Sequence, residues 1–570
     1  MPACPSPFPV DMPSGCGSAR RKGWSRAMEE MRPKLETPRF MDRPATRRAL
    51  LAGAVTAAAA GAGAAVVGLA SQSGGANTPK AAREPSSPGG SPVAPSATPT
   101  PDLSGPIEDP KRWAAHLLRR AGWGGTEAEI AEFAGLSRDK AVDRLVDYET
   151  VDNAALDARI AREAFNLTTP GRGLDGKRPP LIRDMQRWWL TRMAYTARPL
   201  EERMTYLWHG LLTSQVSQVG VQTAKQMVRQ NELFRAHALG QYDALLQAVS
   251  KDPAMMLYLN TIESTKEHPN ENYARELMEL FSMGEGNYTE DDVRESARAF
   301  TGWRLTRPSR ERPPEGLSER ERAEWLDQIW AAWEPEFRLD ARLHDSGSKT
   351  FLGQTGDFGG EDVVRVIMEQ PATGRFITRR LFSDLAYRNP DEETVDRLVE
   401  VWDGSGHSVR EVVRAILVSD EFGSMRAYRS LVRSPVEFVV GAVRSLGIET
   451  NWQTIEQSAA GMDQRLFEPP SVAGWPGGEA WLSSGTFFGR VNFLDAFLYP
   501  RGRPIAIPAL ADQPTPEALV DAALQILVDD DVAQGSRESL YAFAATIPAG
   551  AERAAAVAYL VLASPEYQLV

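Results

Sequence analysis

The chain has 570 residues, of which 42% are hydrophobic and 25% are charged, an ordinary balance for a soluble globular protein. Residues 1–105 carry 12 Lys+Arg and 7 Asp+Glu, whereas the remainder carries 52 and 69, so the body has a net charge of −17. An acidic body without a cluster of basic residues argues against nucleic acid as a partner, because phosphate binding needs clustered Lys and Arg.

The N-terminal region predicts an export signal. Arg47 and Arg48 lie in the sequence TRRALL (46–51), which is typical of a twin-arginine signal, and the uncharged Ala/Gly-rich run 49–70 follows. This run is long enough to remain as a membrane anchor, but its weak hydropathy favours cleavage near residue 70. We therefore expect an exported protein that is periplasmic, cell-wall-associated or secreted.

The same region divides into three predicted parts. Residues 1–43 are a dispensable extension or a misassigned start, with Met41 as the alternative start, and residues 44–71 are the signal. Residues 72–105 are rich in Ser, Pro and Ala and predict a disordered linker, since they cannot bury enough apolar surface to fold. Both cysteines, Cys4 and Cys16, precede the body, which therefore has no disulfide and no thiolate metal site.

From residue 106 the hydrophobic pattern has a helical period almost throughout. The predicted helices include 127–134, 181–197, 201–212, 223–240, 242–250, 360–370, 373–385, 390–401 and 408–418, with 315–333 as an exposed insertion. Only the alternating segment 337–351 predicts strands, in a small hairpin. The expected fold class is mainly α, a large multi-helix body with one minor β-hairpin.

A weak internal repeat links two segments of the body. REVVRAILVSDEF (410–422) resembles AAAVAYLVLASPEYQ (554–568), since each is an apolar helix that ends in Ser-x-Glu-aromatic. Each segment also follows a helix pair at similar spacing. The repeat predicts two related helical subdomains that arose by duplication, with chance as the alternative.

The segment 270–305 predicts a helical hairpin whose second helix is capped by Thr289 and Asp292. With about 100° of rotation per residue, Asn272, Glu276 and Glu279 share one strip of the first helix. We call these three residues the acidic stripe. It borders an apolar face that consists of Tyr273, Leu277, Leu280 and Phe281. The second helix buries Val293, Ala297 and Phe300 and carries Arg294 and Arg298 on a neighbouring strip.

The acidic stripe is the first candidate site. Carboxylates three residues apart on one helix face are the geometry of metal sites in helical bundles, so Asn272, Glu276 and Glu279 are candidate ligands of a divalent metal. Glu276 is also a candidate catalytic residue. The alternative is a surface ion-pair stripe, because arginines at 275, 294 and 298 are available as partners.

Two histidines extend this hypothesis. His209 lies in LWHGLL (207–212) and is a candidate metal ligand, although a lone histidine on an apolar helix face is commonly a hydrogen-bonded core residue. His344 and Asp345 are candidate catalytic residues in a Gly/Ser loop, with Lys349 and Arg298 as candidate substrate-binding residues. The alternative for the loop is an Asx turn. If one site exists, the stripe, His209 and His344–Asp345 should converge around one cavity.

A rigid aromatic loop is a further candidate for substrate binding. PPSVAGWPGG (469–478) contains Trp475, and Trp481 follows closely. The indole of Trp475 suits stacking on a sugar ring, and Arg490 could face the same cavity. The alternative is a loop that only closes a helical bundle. No phosphate-binding loop, H-E-x-x-H, G-x-S-x-G or dinucleotide fingerprint occurs, which argues against those enzyme classes.

Six motifs, in this order, resemble those of the domain of unknown function 1800 family: HLLRRAGWGGT (116–126), LWHGLLTSQ (207–215), the hairpin (270–303), HDSGSKTFLG (344–353), RSPVEFVVGAVRSLG (433–447) and PPSVAGWPGG (469–478). The resemblance covers nearly all of the chain after residue 110. Family relatives often carry a histidine two positions after the equivalent of His209, where this chain has Leu211. That departure weakens a His-x-His metal site.

The resemblance implies an exported bacterial protein, and such proteins are often encoded beside a sulfatase-like protein of the unknown-function 1501 family. Two function classes follow. The first is a metal-assisted hydrolase or modifying enzyme that acts on envelope or extracellular glycans. The second is a non-catalytic secreted partner of the sulfatase-like protein. The sequence leaves both open.

Overall fold

A computed structural model describes residues 105–167, 181–220, 224–308, 311–450 and 452–570 of the protein. The predicted signal, both cysteines and the linker up to residue 104 lie outside these ranges. Within them the protein is mainly α-helical, with two small antiparallel sheets, which confirms the predicted fold class. No helix in the described ranges is long and apolar enough to cross a membrane.

Short polar residues and prolines begin the N-terminal helices. The side chain of Thr126 forms a capping box with Glu129, and Pro199 is the first residue of its helix, two residues before the predicted start. These helices are α1 (Pro110–Arg120), α2 (Glu127–Ala134), α3 (Arg138–Val146), α4 (Ala154–Glu163), α5 (Leu181–Tyr195), α6 (Pro199–Leu211), α7 (Val216–Val219), α8 (Lys225–Ala236), α9 (Tyr242–Ser250) and α10 (Pro253–Tyr258).

The remaining helices follow the same rules. Ser434, for example, caps its helix and forms a capping box with Glu437. They are α11 (Asn272–Glu279), α12 (Glu290–Ala299), α13 (Glu319–Ala332), α14 (Gly360–Met368), α15 (Pro371–Leu385), α16 (Glu392–Gly404), α17 (Val409–Val418), α18 (Pro435–Leu446), α19 (Trp452–Gly461), α20 (Ser484–Leu498), α21 (Pro516–Val528), α22 (Gln534–Ala545) and α23 (Ala551–Ala563). Short 3-10 turns occur at Tyr148–Thr150, Thr261–Glu263, Gly478–Leu482, Pro500–Gly502, Pro508–Leu510 and Glu566–Gln568.

The strands pair differently from the predicted hairpin. Strand β1 (Trp303–Leu305) pairs with β2 (Phe337–Leu339), and β3 (Lys349–Phe351) pairs with β4 (Gln354–Gly356). The segment 337–351 therefore contributes one strand to each of two sheets rather than folding on itself. The reason is that β2 returns from the insertion that contains α13 and finds its partner directly after the helical hairpin.

The helical hairpin forms as predicted. Thr289 and Asp292 make reciprocal capping hydrogen bonds at the start of α12. The first helix, α11, ends at Glu279, and Met283 is buried beyond its end. The predicted apolar positions on both helices are buried apart from Leu280, which is half-buried.

The buried side chains form two large clusters. One contains Trp208 and Trp303, which are 0% and 1% exposed, as expected for large aromatic residues on the apolar faces of these segments. The other contains Trp189, Phe438 and Phe467 and is built largely from α5 and from α18 to α23. The helix α6 contributes side chains to the first cluster and also faces the second, since the ring of Trp189 lies 5.2 Å from that of His209.

The two repeat segments occupy similar positions in the structure. The helix α17 packs on α15 and α16, and α23 packs on α21 and α22. The C-caps Ser419 and Ser564 have nearly the same backbone angles, with φ −68° in each case and ψ 153° and 156°. The aromatic residues that follow, Phe422 and Tyr567, are both buried. Duplication remains a prediction, and these shared features are consistent with it.

Candidate functional site

The acidic stripe lies at the surface of α11. Asn272 is exposed, and Glu276 and Glu279 are half-buried. Burial and the charge of Glu279 raise the pKa of Glu276, while the hydroxyl of Tyr288 donates to Glu279 at 2.9 Å. The stripe therefore brings together two carboxylates that interact. Nevertheless, the described residues contain no group of three or more His, Cys, Asp or Glu side chains that could hold a metal ion.

His209 lies in an aromatic environment. Its ring is 1% exposed and lies 5.2, 5.5 and 5.6 Å from the rings of Trp189, Phe467 and Trp475. Burial lowers the pKa of His209 to about 3, so the ring is neutral at physiological pH. Its Nε2 atom has no hydrogen-bond partner among the described residues. Among the described residues, no hydrogen bond or ion pair joins His209 to a carboxylate with which it could share a metal.

The loop 344–349 does assemble, together with α12. Arg298 donates to the carboxylate of Asp345 at 2.8 Å, and the amide of Gly347 donates to the same carboxylate at 2.8 Å, as in an Asx turn. The ammonium of Lys349 is buried and donates to the carbonyl oxygens of Asp345 and Gly347 at 2.6 and 2.9 Å. His344 Nδ1 lies 2.8 Å from the carbonyl oxygen of Thr301.

These contacts stabilise the conformation of the loop and satisfy its charged groups. The donation from Arg298 lowers the pKa of Asp345. No hydrogen bond, ion pair or ring contact among the described residues joins His209 to the stripe or to His344. A single cavity shared by all three elements therefore stays a prediction without support from these contacts.

A different group of residues surrounds a pocket of about 140 Å³. Its walls come from α6, the C-terminal part of α15, the start of α18 and the segment 475–481. The charged residues that line it are Arg203, Arg380, Asp384, Arg388 and Glu437. Trp475 and Trp481 line it as well, so one predicted substrate-binding residue, Trp475, is in its wall.

A glycine fixes the aromatic loop against α6. Gly474 has φ 79°, and a Cβ atom at this position would lie 2.4 Å from the carbonyl oxygen of Gly210. No other residue fits there, because both the backbone conformation and the close approach require glycine. The hydroxyl of Thr213 donates to the carbonyl of Val472 and holds the same loop. The half-buried Trp475 thereby faces the pocket, and its Nε1 atom has no partner among the described residues.

Arg388 is the exposed cation of the pocket. Its guanidinium lies against the backbone of Gly478, since a Cβ atom there would meet the Nη2 atom of Arg388 at 2.5 Å. In the part of the chain that the structure describes, no carboxylate lies within ion-pair distance of Arg388 and no carbonyl accepts from it. Arg380, which also lines the pocket, has an acidic partner, because its Nε donates to Asp384 at 3.1 Å.

Two further arginines are buried behind the pocket wall. Arg433 and Arg490 are 3% and 1% exposed. Arg433 Nε donates to the carbonyl of Leu569 at 3.1 Å. Arg490 donates to the side-chain oxygen of Gln568 at 3.0 Å and to the carbonyl of Arg433 at 2.7 Å, and its Nε has no described partner. The described hydrogen-bond acceptors of both guanidinium groups are therefore neutral oxygens.

A third buried arginine, Arg120, donates to the carbonyl of Leu385 at 2.8 Å. Burial and the charge of Arg203 lower the pKa of Arg120 to about 9, and burial and the charge of Arg433 lower the pKa of Arg490 to about 10. These shifts mean that the folded protein holds each charge at a cost. Negative charge near these groups would reduce that cost.

The carboxylates of the pocket do not balance its arginines. Glu437 is paired with Arg203 and accepts from the amide of Ser434 at 2.7 Å. Although burial raises it, the pKa of Glu437 is lowered overall by Arg203 and these hydrogen bonds. Among the described residues, the pocket and its wall hold six guanidinium groups against two side-chain carboxylates, Asp384 and Glu437. Counted by these side chains, the described pocket and its arginine-bearing wall carry more positive than negative charge.

Comparison with known proteins identifies the family. Residues 116–569 match the model of a family described as proteins of unknown function (DUF1800). The chain belongs to this family. No curated protein and no solved structure matches the chain. The matched range of this DUF1800 protein includes every pocket residue except Val570, and the family's description assigns the pocket no role.

Two residues that the sequence singled out lie at this pocket of the DUF1800 protein. Trp475 lines the pocket, whereas Arg490, which was expected to face the same cavity, is buried behind the wall. The sequence-based prediction missed Arg388, Arg433 and the pair Arg203–Glu437. Arginines are common in this sequence, and only packing shows which of them lack an acidic partner. The one available signal was the pair Gly477–Gly478 between two tryptophans, which permits close approach of another group.

Proposed function

We propose that this DUF1800 protein binds an anionic group of an extracellular or envelope glycan in the arginine pocket. The observation that carries the proposal has two parts. Arg433 and Arg490 are buried behind the pocket wall, where their described partners are neutral oxygens, and Arg388, which lines the pocket, has no partner among the described residues. A buried charge is costly unless it is paired, and guanidinium groups match the geometry of sulfate, phosphate and carboxylate. Their shared chemistry is a compact oxyanion.

The two tryptophans support a sugar as the carrier of that anion. The apolar face of a pyranose ring packs on an indole, and Trp475 and Trp481 line the same pocket as the arginines. The indole Nε1 of Trp475 is an unused donor among the described residues and could bond a sugar hydroxyl. Aromatic stacking and charge recognition would then act on one ligand.

The carboxylates of the pocket favour binding over acid catalysis. A general acid needs a pKa near the working pH, whereas the pKa of Glu437 is lowered. Asp384 accepts from Arg380 at 3.1 Å and is likewise engaged. A binding role is compatible with both predicted function classes, the glycan-modifying enzyme with a divalent metal and the non-catalytic partner of a sulfatase-like protein of the unknown-function 1501 family.

Calorimetric titration tests the proposal. A heparin-derived tetrasaccharide should bind the protein, and its desulfated form should bind at least about tenfold more weakly, since hydrogen bonds to charged groups contribute about 1.5–3 kcal/mol each. Arg388→Met should remove most of the binding of the sulfated form. The control is Arg294→Met, which removes an exposed arginine paired with Asp291 on the hairpin. Equal binding of both tetrasaccharides would refute anion recognition.

Glucose 6-phosphate and glucuronic acid distinguish the sources of the anion. The sugar with the highest affinity among the phosphorylated, carboxylated and sulfated forms identifies the oxyanion that the pocket prefers. Addition of EDTA should leave this binding unchanged, because the arginines need no metal to hold an anion. Loss of binding in EDTA would instead support the predicted divalent metal.

Export by the twin-arginine pathway belongs to the same proposal, because an extracellular glycan requires an exported protein. The double variant Arg47→Lys/Arg48→Lys should remain inside the cell, because the translocase recognises the arginine pair. Western blots of cell and culture fractions measure the effect. Unchanged export of the double variant would overturn the assignment.

A further inference from the structure

An apolar patch lies beside the arginine pocket. Leu482, Phe487 and Phe488 are 40%, 42% and 58% exposed. Across the described ranges six large hydrophobic side chains are exposed, and half of them fall within this stretch of seven residues. Single exposed hydrophobic residues need no explanation, but a cluster with two aromatic rings marks a surface that contacts something.

The patch directly follows a residue of the pocket wall in sequence. Trp481 lines the pocket, and its carbonyl oxygen accepts from the hydroxyl of Thr486 at 2.9 Å and from Arg490 at 3.3 Å. Phe487 and Phe488 lie between these two donors, in the first turns of α20. One short segment therefore supplies the pocket wall, the exposed rings and a buried guanidinium.

The pocket is too small for an extended ligand. Its volume is about 140 Å³, whereas sites that enclose a whole small molecule measure about 300–1,000 Å³. A ligand larger than one charged sugar must continue across the surrounding surface. The patch is the apolar part of that surface next to Trp481.

We propose that the patch of Leu482, Phe487 and Phe488 holds further rings of the glycan whose anionic group occupies the arginine pocket. The ligand is thus an anionic oligosaccharide or polysaccharide chain, not a single sugar. This inference rests on the proposed function. Open aromatic faces suit successive sugar rings, while an alkyl chain needs an enclosing apolar groove, which three side chains on an open surface do not form.

The test compares ligand lengths in wild-type protein and in the double variant Phe487→Ser/Phe488→Ser. Calorimetry should show that a heparin-derived octasaccharide binds wild type about tenfold more tightly than a disaccharide, a difference of about 1.4 kcal/mol. The double variant should lose this advantage and keep the disaccharide affinity. Leu339→Ser, at a residue 50% exposed on β2, is the matched control and should change neither affinity.

The outcomes separate this inference from the proposed function. If wild type shows no length dependence, or the double variant keeps it, the patch is not part of the glycan site. Binding of neither heparin fragment would instead refute the proposed function itself. A third outcome would overturn the inference in favour of an alkyl ligand. In that case dodecyl sulfate binds wild type more tightly than the octasaccharide does, and the double variant at Phe487 and Phe488 loses this binding.

Discussion

The helical hairpin and the arginine pocket are both rich in charge, but they satisfy that charge differently. On the hairpin, Arg298 contacts both Glu295 and Asp345, and Arg275 contacts both Glu271 and Glu290. Behind the pocket wall, the described partners of Arg433 and Arg490 are neutral oxygens, and Arg388, which lines the pocket, has no described partner.

The difference teaches that charge density alone does not mark a binding site. An arginine that already has two carboxylate partners gains little from a ligand. A buried arginine without one gains much more, because the ligand then offsets its desolvation. The hairpin contributes stability in this account, and the pocket contributes recognition.

The largest expected effect is on stability at the hairpin. The ring of Trp303 is 1% exposed and lies 4.9 and 4.7 Å from the rings of Phe300 and Phe337. Trp303→Ala should lower the free energy of unfolding by about 3–5 kcal/mol, because it leaves a cavity in the core. Urea denaturation measures it. Trp325→Ala, on the half-buried face of α13, is the control and should cost far less. A loss of unfolding free energy no larger than that of the control would mean that Trp303 does not contribute to the core.

The next effect is on the geometry of the pocket. Gly474→Ala places a Cβ atom against the carbonyl oxygen of Gly210, while Gly286→Ala has the same type of positive φ with nothing within 4 Å. Both variants should lose about 1–2 kcal/mol of stability through backbone strain. Only Gly474→Ala should also lose binding of the sulfated tetrasaccharide, because Trp475 moves. Equal binding by both variants would show that the loop does not shape the site.

A crossed pair of substitutions sharpens the comparison of the two regions. Arg388→Met should weaken binding of the sulfated tetrasaccharide by about tenfold or more and leave the melting temperature unchanged. Arg298→Met should lower stability by about 1 kcal/mol, the scale of a partly exposed ion pair, and leave binding unchanged. Calorimetry gives the affinity of each variant for the tetrasaccharide, and thermal melts give the melting temperature of each. The reverse pattern would return the substrate-binding role to Arg298.

The smallest effect concerns pH. Donation from Arg298, together with the amide of Gly347, lowers the pKa of Asp345 below the unfolded value of about 3.9. Its contribution to stability is therefore present above about pH 4 and lost as the pH falls through the folded pKa. Asp345→Asn should melt at a lower temperature than wild type at pH 7, and the gap should narrow towards pH 3. A constant gap would mean that the charge of Asp345 is irrelevant.

Much of the fold could be predicted from the sequence because it depends on local signals. The capping box at Thr289, the buried positions of the hairpin and the burial of Trp208 and Trp303 all follow from residue type and spacing. The strand pairing could not be predicted in this way. Which strand pairs with β2 depends on how the insertion with α13 returns, and that is a long-range contact.

The candidate site was harder to predict for a related reason. The residues 276, 279, 344 and 345 are conspicuous in sequence because they are polar in patterned segments, yet Glu279 and Asp345 have local partners. Arg433 is inconspicuous in sequence, and Arg490 was predicted only from its place after the aromatic loop. That neither has an acidic partner among the described residues appears only when distant helices pack. Trp475 was identified because its glycine-rich loop is itself a local signal.

If the arginine pocket binds an oxyanion, a crystal of the protein grown or soaked with sodium selenate should show the anion at Arg388. We expect an anomalous selenium peak beside the Arg388 guanidinium, on the side that faces the pocket, in wild type, and its loss in Arg388→Met crystals. Peaks confined to other surface arginines such as Arg294, with an empty pocket in wild type, would contradict the account.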